Sequence, residues 1–431
     1  MTSHALPTKA VDRSVLVHAH ERRGFVTVPL DYAEPGAATI EVLYRVLPPH
    51  GGTPDDASKP FVFVINGGPG ISARFYRPLD YDYAKQAMPG GGFDRFVFLP
   101  QSFRVVLIDQ RGTDGSSAPL DMDDARLDAR AVGRLYSSDS VARDVRAVIE
   151  TLAAPGEPFY IIAQSYGGLP GMQYLALDGA PVPAGIVFSS SALPFEDPLA
   201  NTRARRNEQL RLNLQLRQAV PDIAQRILAA RAHLAALGAE ATIIDGMYVL
   251  LGKGVPGQWE PGVVARLERL MGQSKAEIEA EAEAGLETPS LLNYILSSVN
   301  FSPGYTDRTL AIVGSREIPF EPWMIDEHEM IMRTGQDGGW REAMVADLDR
   351  HPPEPTPFPS LEALRAGIAR TRALFTAADN DAFVPADLYR EVVARFEVPG
   401  HTEIRALPGG HNAIFHAPGH EAMVAWAAQK A

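Results

Sequence analysis

A serine stands at position 165 in the run Ala163-Gln164-Ser165-Tyr166-Gly167-Gly168, directly after the apolar stretch 159–163. A hydroxyl becomes an exposed nucleophile on a sharp strand-to-helix turn, which needs small residues two before and two after the serine. Ala163 and Gly167 meet that need. A serine nucleophile also needs a histidine base, and the histidine needs an acid to hold its tautomer. Asp379 and Asp381 follow the apolar stretch 372–377, and Gly409-Gly410-His411 follows the stretch 402–407. Serine, acid, histidine is the chain order that accompanies a serine on this kind of strand-to-helix turn. Of 11 histidines, only His411 combines a preceding strand with a Gly-Gly turn; His401, His416 and His420 read as surface or packing residues.

A second glycine-rich run, Asn66-Gly67-Gly68-Pro69-Gly70, follows the apolar stretch 61–65. Glycines let backbone N–H groups approach a substrate oxygen. An oxyanion hole takes one N–H from the residue after the nucleophile and one from such a loop. That assigns Tyr166 and Gly68, with Gly67 the runner-up. A purely structural loop is the alternative. Phosphate binding is weaker, because no Gly-Lys-Ser/Thr follows.

These residues need a scaffold that brings strand ends together. Stretches 24–29, 39–47, 61–65, 105–108, 159–163, 185–188, 372–377 and 402–407 read as strands, several of them continuously apolar as strands buried on both faces are. Residues 140–152 carry apolar residues at helical spacing. Strands alternating with helices imply a mostly parallel, doubly wound α/β sheet. Helical character dominates at 201–237, 263–286, 323–332 and 340–348, a Pro-rich run spans 351–359, and a final helix is expected over 420–429. The division is core 1–194, a helical insertion 195–365, and core 366–431. The acidic run 277–283 reads as a solvated helix face.

Composition narrows the function. With 40 Lys+Arg against 53 Asp+Glu, the net charge of −13 argues against a nucleic-acid groove or an anionic membrane surface. The 431 residues exceed the roughly 250–300 that one core supports, which fits a domain carrying a large insertion. Zero cysteines exclude disulfides, thiolate metal sites and a cysteine nucleophile. Residues 1–15 lack the apolar core of a secretory signal, and no run reaches the roughly 18 apolar residues of a membrane helix, so a cytoplasmic protein is expected.

Taken together, the motifs resemble the α/β-hydrolase superfamily and, within it, the proline iminopeptidase (prolyl aminopeptidase) and tripeptidyl aminopeptidase family of serine peptidases. Asn66 to Gly70 matches that family's glycine-rich loop, Asp109-Gln110-Arg111-Gly112 matches its Asp-Gln-Arg-Gly, with Asp114 where Gly is usual, and Ser165 to Gly168 matches its elbow with Ala163 as a variation. The family acid precedes a proline by four residues, which selects Asp381, before Pro385, over Asp379. Gly410-His411 and Val28-Pro29-Leu30-Asp31-Tyr32 also look like family elements, and the resemblance covers roughly 20–194 and 366–431.

The resemblance implies an α/β-hydrolase fold with a helical cap, and a Ser165, His411, Asp381 mechanism without metal or organic cofactor. The substrate would be a short peptide or amino-acid amide. Its free α-amine would be held by cap carboxylates. Glu327-His328-Glu329, followed by Trp340, looks like the family's cap element, with Glu329 the first anchor candidate; the segment 206–221 looks like its first cap helices, with Glu208 second. Arg111 is expected to brace loops by ion pairing. An esterase, lactonase or thioesterase on the same fold is the alternative, since acyl transfer is common to all. A non-catalytic binding protein is a further rival, opposed by the complete residue set. Epoxide hydrolases and haloalkane dehalogenases need an Asp nucleophile, and position 165 is Ser.

Overall fold

The computed structural model describes residues 6, 21–36, 38–49, 52–73, 99–113, 120–121, 124–240, 242–254, 256–278, 291–301, 304–332 and 339–429. Eight strands form one sheet: β1 (Arg22–Pro29), β2 (Thr39–Leu47), β3 (Phe61–Ile65), β4 (Arg104–Ile108), β5 (Phe159–Gln164), β6 (Gly185–Ser189), β7 (Ala373–Ala378) and β8 (Thr402–Leu407). Their order is β1-β2-β4-β3-β5-β6-β7-β8. The pairs β1–β2 and β2–β4 are antiparallel, and all pairs from β4 to β8 are parallel. Strands β3, β4, β6 and β7 are buried at every residue, as central parallel strands covered on both faces must be.

Helices α1 (Ala129–Leu135), α2 (Ser138–Leu152) and α3 (Gly168–Leu175) follow β4 and β5, and α2 and α3 cover one sheet face. Val141, Val145, Val148 and Ile149 of α2 pack with Phe63, Ile161 and Phe375 from the strands. The other face is closed by Leu99, Phe103 and the C-terminal helix Ala417–Ala428, whose Trp426 is buried against Val187 and Leu374.

Between β6 and β7 the described chain is helical: α4 (Pro198–Ala219), α5 (Ile223–Leu237), α6 (Glu260–Gly272), α7 (Leu291–Asn300), α8 (Asp307–Glu317), α9 (Glu327–Met332), α10 (Trp340–Arg350) and α11 (Leu361–Ile368). This region has its own core, with Leu212, Leu216, Ile227, Leu234, Val263, Leu267 and Ile325 in one cluster. Its α7 and α10 pack instead on α1, through Ile295, Val299, Val345 and Leu348 against Val132 and Leu135. Residue 365 falls inside α11, whose Leu364 and Ile368 join the sheet's core, so the insertion ends before that helix. Helix α12 (Ala386–Val393) follows β7, and α13 (Ala417–Ala428) closes the chain.

Two helical expectations change in detail. Residues 323–326 are not helical: Trp323, Met324 and Ile325 are buried in the cap core, and the Asn213 amide takes both backbone groups of Ile325, at 2.9 and 3.0 Å, in place of a helical ladder. The helix expected over 263–286 stops at Gly272, because Ser274 and Glu277 cap each other's backbone and restart the chain. Most of the acidic run 277–283, Asp114 and residues 1–5 and 7–20 lie outside the described residues. Among the described residues no helix is long and apolar enough to cross a membrane.

Candidate active site

Ser165 ends the central strand β5 and opens α3 through a single tight turn. Its φ is +56°, a left-handed conformation that a non-glycine residue holds only where the surroundings enforce it. Those surroundings are backbone. A methyl at Gly167 would strike the Ile65 carbonyl, and one at Gly168 would strike the Ala192 carbonyl. The Ser165 carbonyl in turn accepts the Ala192 N–H at 2.9 Å. Ala163 fits two residues before the serine because Gly171 of α3 faces it: a methyl on Gly171 would come within 2.8 Å of the Ala163 methyl.

The loop after β3 presses on this turn. A methyl on Gly67 would lie 2.9 Å from Ser165 Cβ and 3.2 Å from its Oγ. Only hydrogen fits there, so the loop backbone sits beside the serine side chain. Gln110 clamps the loop: its Nε2 donates to the Asn66 and Gly67 carbonyls, both at 3.0 Å, and its Oε1 accepts the Gly70 N–H at 2.8 Å. Asn293 of α7 donates to the Pro69 carbonyl at 2.9 Å, tying the cap to the same loop. Gly68 keeps accessible surface while Gly67 is buried, and the Tyr166 ring is buried edge-on against Phe301 at 5.8 Å.

The Asp-Gln-Arg-Gly run thus has three separate tasks. Besides the Gln110 clamp, Asp109 accepts from Arg45, from Ser72 Oγ at 2.6 Å and from the Ala73 N–H at 2.6 Å. Arg111 makes a two-pronged pair with Asp144 at 2.6 and 2.7 Å, and donates to the Pro29, Leu30 and Leu135 carbonyls. It braces the N-terminal strand against α1 and α2.

Past β7 and β8, the structure brings Asp381 and His411 together. His411 Nδ1 lies 2.9 and 3.0 Å from the two Asp381 carboxylate oxygens. Asp381 is 1% exposed, and its Oδ1 accepts the Phe383 and Val384 N–H groups, both at 2.9 Å. A carboxylate with that many donors is fixed in direction. Asp379, two residues earlier, is exposed. His411 reaches the elbow through its backbone: Gln164 Nε2 donates to its carbonyl at 3.3 Å.

Above these residues the cap places charges. Glu327 of α9 is buried, and it accepts from Arg205 and, at 2.5 Å, from Gln209 Nε2, both on α4. Arg205 also lies within electrostatic reach of Asp307 and Asp381. Burial pushes the Asp307 carboxyl up to about 6, opposed by Arg205 and by a hydrogen bond from Ser297. Arg205, Tyr248 and Asp307 are enclosed by protein yet keep accessible surface, as residues lining a recess do. Two carboxylates facing one guanidinium leave that recess with excess negative charge. Gln209 Oε1 and Arg205 Nε are buried there without a hydrogen-bond partner. The recess is joined to the histidine by rings: Tyr248 to Phe383 at 5.1 Å, and Phe383 to His411 at 4.7 Å.

Glu329, the first anchor candidate by resemblance, is exposed and lies toward Arg231 instead. Glu208 holds Arg211 in a two-pronged pair. His328 is buried, and burial together with Arg206 and Arg205 pushes its imidazole down to about 3, so it stays neutral. Glu327 belongs to the same Glu-His-Glu element as Glu329. No sequence feature singles out Asp307, which opens α8.

A sequence profile of the alpha/beta hydrolase fold matches residues 60–418. Proline iminopeptidase from Aeromonas sobria is 33% identical over 168 residues, which is 38% of this chain and 36% of that protein. The chain therefore aligns with about a third of that relative's length. Among solved structures, bromoperoxidase from Bacillus anthracis is 12% identical with a TM-score of 0.41, over 94% of this chain and 100% of that one. Naproxen esterase from Bacillus subtilis is 13% identical with a TM-score of 0.40, over 94% and 92%. The Cif epoxide hydrolase from Acinetobacter nosocomialis is 14% identical with a TM-score of 0.41, over 95% and 90%. With the profile spanning most of its length and the sheet order described above, the chain belongs to the alpha/beta hydrolase fold family.

Proposed function

We propose that the chain is a serine aminopeptidase that releases the N-terminal residue, preferentially proline, from short peptides or amino-acid amides in the cytoplasm. The observation that carries this reading is the acidic recess of Glu327 and Asp307 around Arg205 in the cap, within electrostatic reach of Asp381. A substrate ammonium is attracted there, and burying it without a carboxylate costs several kcal/mol. The partial likeness to the Aeromonas sobria proline iminopeptidase supports the same reading.

The mechanism follows from the residues. Ser165 attacks the carbonyl carbon while His411 takes its proton. Asp381 holds the imidazole by Nδ1 and stabilises the imidazolium. The N–H groups of Tyr166 and Gly68, with Gly67 second, receive the developing oxyanion, at about 3–4 kcal/mol per donor in measured cases. His411 then protonates the leaving amine, and water releases the acyl-enzyme. These steps call for no metal or organic cofactor. Parallel assay of a proline arylamide, its N-acetyl form and an aryl ester tests the proposal. The free amide should be cleaved fastest and the acetylated form hardly at all. Equal cleavage of free and acetylated forms would put an esterase, lactonase or thioesterase in its place.

A further inference from the structure

The cap is wedged into the two loops that carry the acid and the base. The turn at 251–254 enters between them. Gly252, at φ +67°, sits so that a methyl would meet both the Asn380 carbonyl and the Leu212 side chain. From the other side, a methyl on Gly410 would meet the Gly252 carbonyl. Asn380 precedes the acid and Gly410 precedes the histidine, so one glycine of the cap separates and spaces both loops. Asn380 is then held on three sides. Its N–H donates to the Gly409 carbonyl at 2.9 Å, its side-chain amide reaches the Gly254 carbonyl at 3.5 Å, and its Oδ1 accepts from Arg211 of α4 at 3.0 Å. Glu208 fixes Arg211 from behind, at 2.5 and 2.9 Å. Beyond the acid, Ala382 is counted in the cap's own hydrophobic core, and Phe383 packs against it.

We propose that Arg211 and the 251–254 turn are positioning groups for the Asp381–His411 pair, so that the cap sets the alignment of the base as well as covering the site. The inference rests on the reading of Ser165, His411 and Asp381 as the reacting groups. Its logic is geometric. Asp381 reaches His411 only as well as the loop 379–384 is placed, and the cap contacts at Asn380, Ala382 and Phe383 lie within two residues of the acid. Misplacement of a catalytic group by about 1 Å costs up to roughly 10²-fold in rate. Glu208 thereby acquires a task that differs from binding an amine: it holds the arginine that holds Asn380.

Labelling with a fluorophosphonate tests this, since the probe needs Ser165 and His411 but has no amine to anchor. Arg211→Ala, Asn380→Ala and the double variant are compared with the unaltered protein for kinact, KI and final stoichiometry. Each single change should lower kinact about tenfold, leave KI and the stoichiometry unchanged, and the double should lose no more than the worse single, as groups acting through one contact do. A merely structural effect would lower the labelled fraction and leave kinact alone. Gly252→Ala should give the same kinact loss. Unchanged kinact in both single variants, or losses that multiply in the double, would overturn the inference. If the unaltered protein itself is not labelled, the serine-hydrolase reading falls and takes this inference with it.

Discussion

Glu327→Gln keeps the shape of a buried side chain and removes its charge, which makes it the sharpest probe of the cap recess. Glu327 is 3% exposed, so a substrate ammonium held there is largely out of water. Leaving a buried charge without its partner costs about 3–5 kcal/mol. Asp307 remains within reach of the same recess through Arg205 and retains part of the field. A loss of about 2–3 kcal/mol is therefore expected, which at 1.4 kcal/mol per decade is a fall of roughly 30- to 150-fold in kcat/KM on a proline arylamide. The same variant should hydrolyse an aryl ester within about threefold of the unaltered protein, because no amine is engaged. Glu329→Gln, at an exposed position, should change either rate by less than about threefold. Arylamide and ester assays on the two variants, with active sites counted by fluorophosphonate, read all four numbers. If Glu329→Gln lost more than Glu327→Gln on the amide, the assignment of the recess would be refuted. An equal loss on both substrates for Glu327→Gln would mean that it supports the cap rather than the amine.

Three further outcomes are expected. Ser165→Ala should abolish fluorophosphonate labelling and lower turnover by about 10⁴-fold or more, with an unchanged far-ultraviolet spectrum; activity above about one hundredth would sink the nucleophile. Asp381→Asn should cost about 10⁴ in turnover through the wrong histidine tautomer, and Asp379→Asn, at an exposed site, should cost little, so the reverse ranking refutes the acid. Burial pushes the Glu196 carboxyl up to about 7, against its bonds to the Leu193 N–H and the Asn201 amide. A raised carboxyl makes the folded state bind more protons than the unfolded one, so stability falls as pH rises through that value. Thermal melts of Glu196→Gln should lose less Tm than the unaltered protein between about pH 5 and pH 8, and an identical pH dependence would refute the cause.

What the chain discloses before folding divides along a physical line. The strands were legible because burial on both faces demands continuous apolar runs, and Phe61–Ile65 and Phe159–Gln164 occur where those runs do. The elbow and the glycine loop were legible because backbone approaching backbone tolerates only glycine, and glycine is visible in a sequence. Even the departure at Ala163 has its counterpart in Gly171, eight residues on, though nothing local links the two. Side-chain choices within one short element were not legible. Glu327 and Glu329 are two apart on the six-residue helix α9, and residues two apart on a helix point to different sides. Which side meets Arg205 is decided by how α9 packs on α4, and that packing is carried by residues more than a hundred positions away, Asn213 holding Ile325 and Arg206 holding Asp326 among them. Asp379 and Asp381 pose the same problem on a loop. It is resolved by the carboxylate that can accept the N–H groups of its own turn, Phe383 and Val384. On the proposed reading, the chemistry of this site resides in backbone geometry that short motifs encode and its selectivity in the docking of the cap, and substitutions that re-aim α9 or α4 should change substrate preference before they change the reaction.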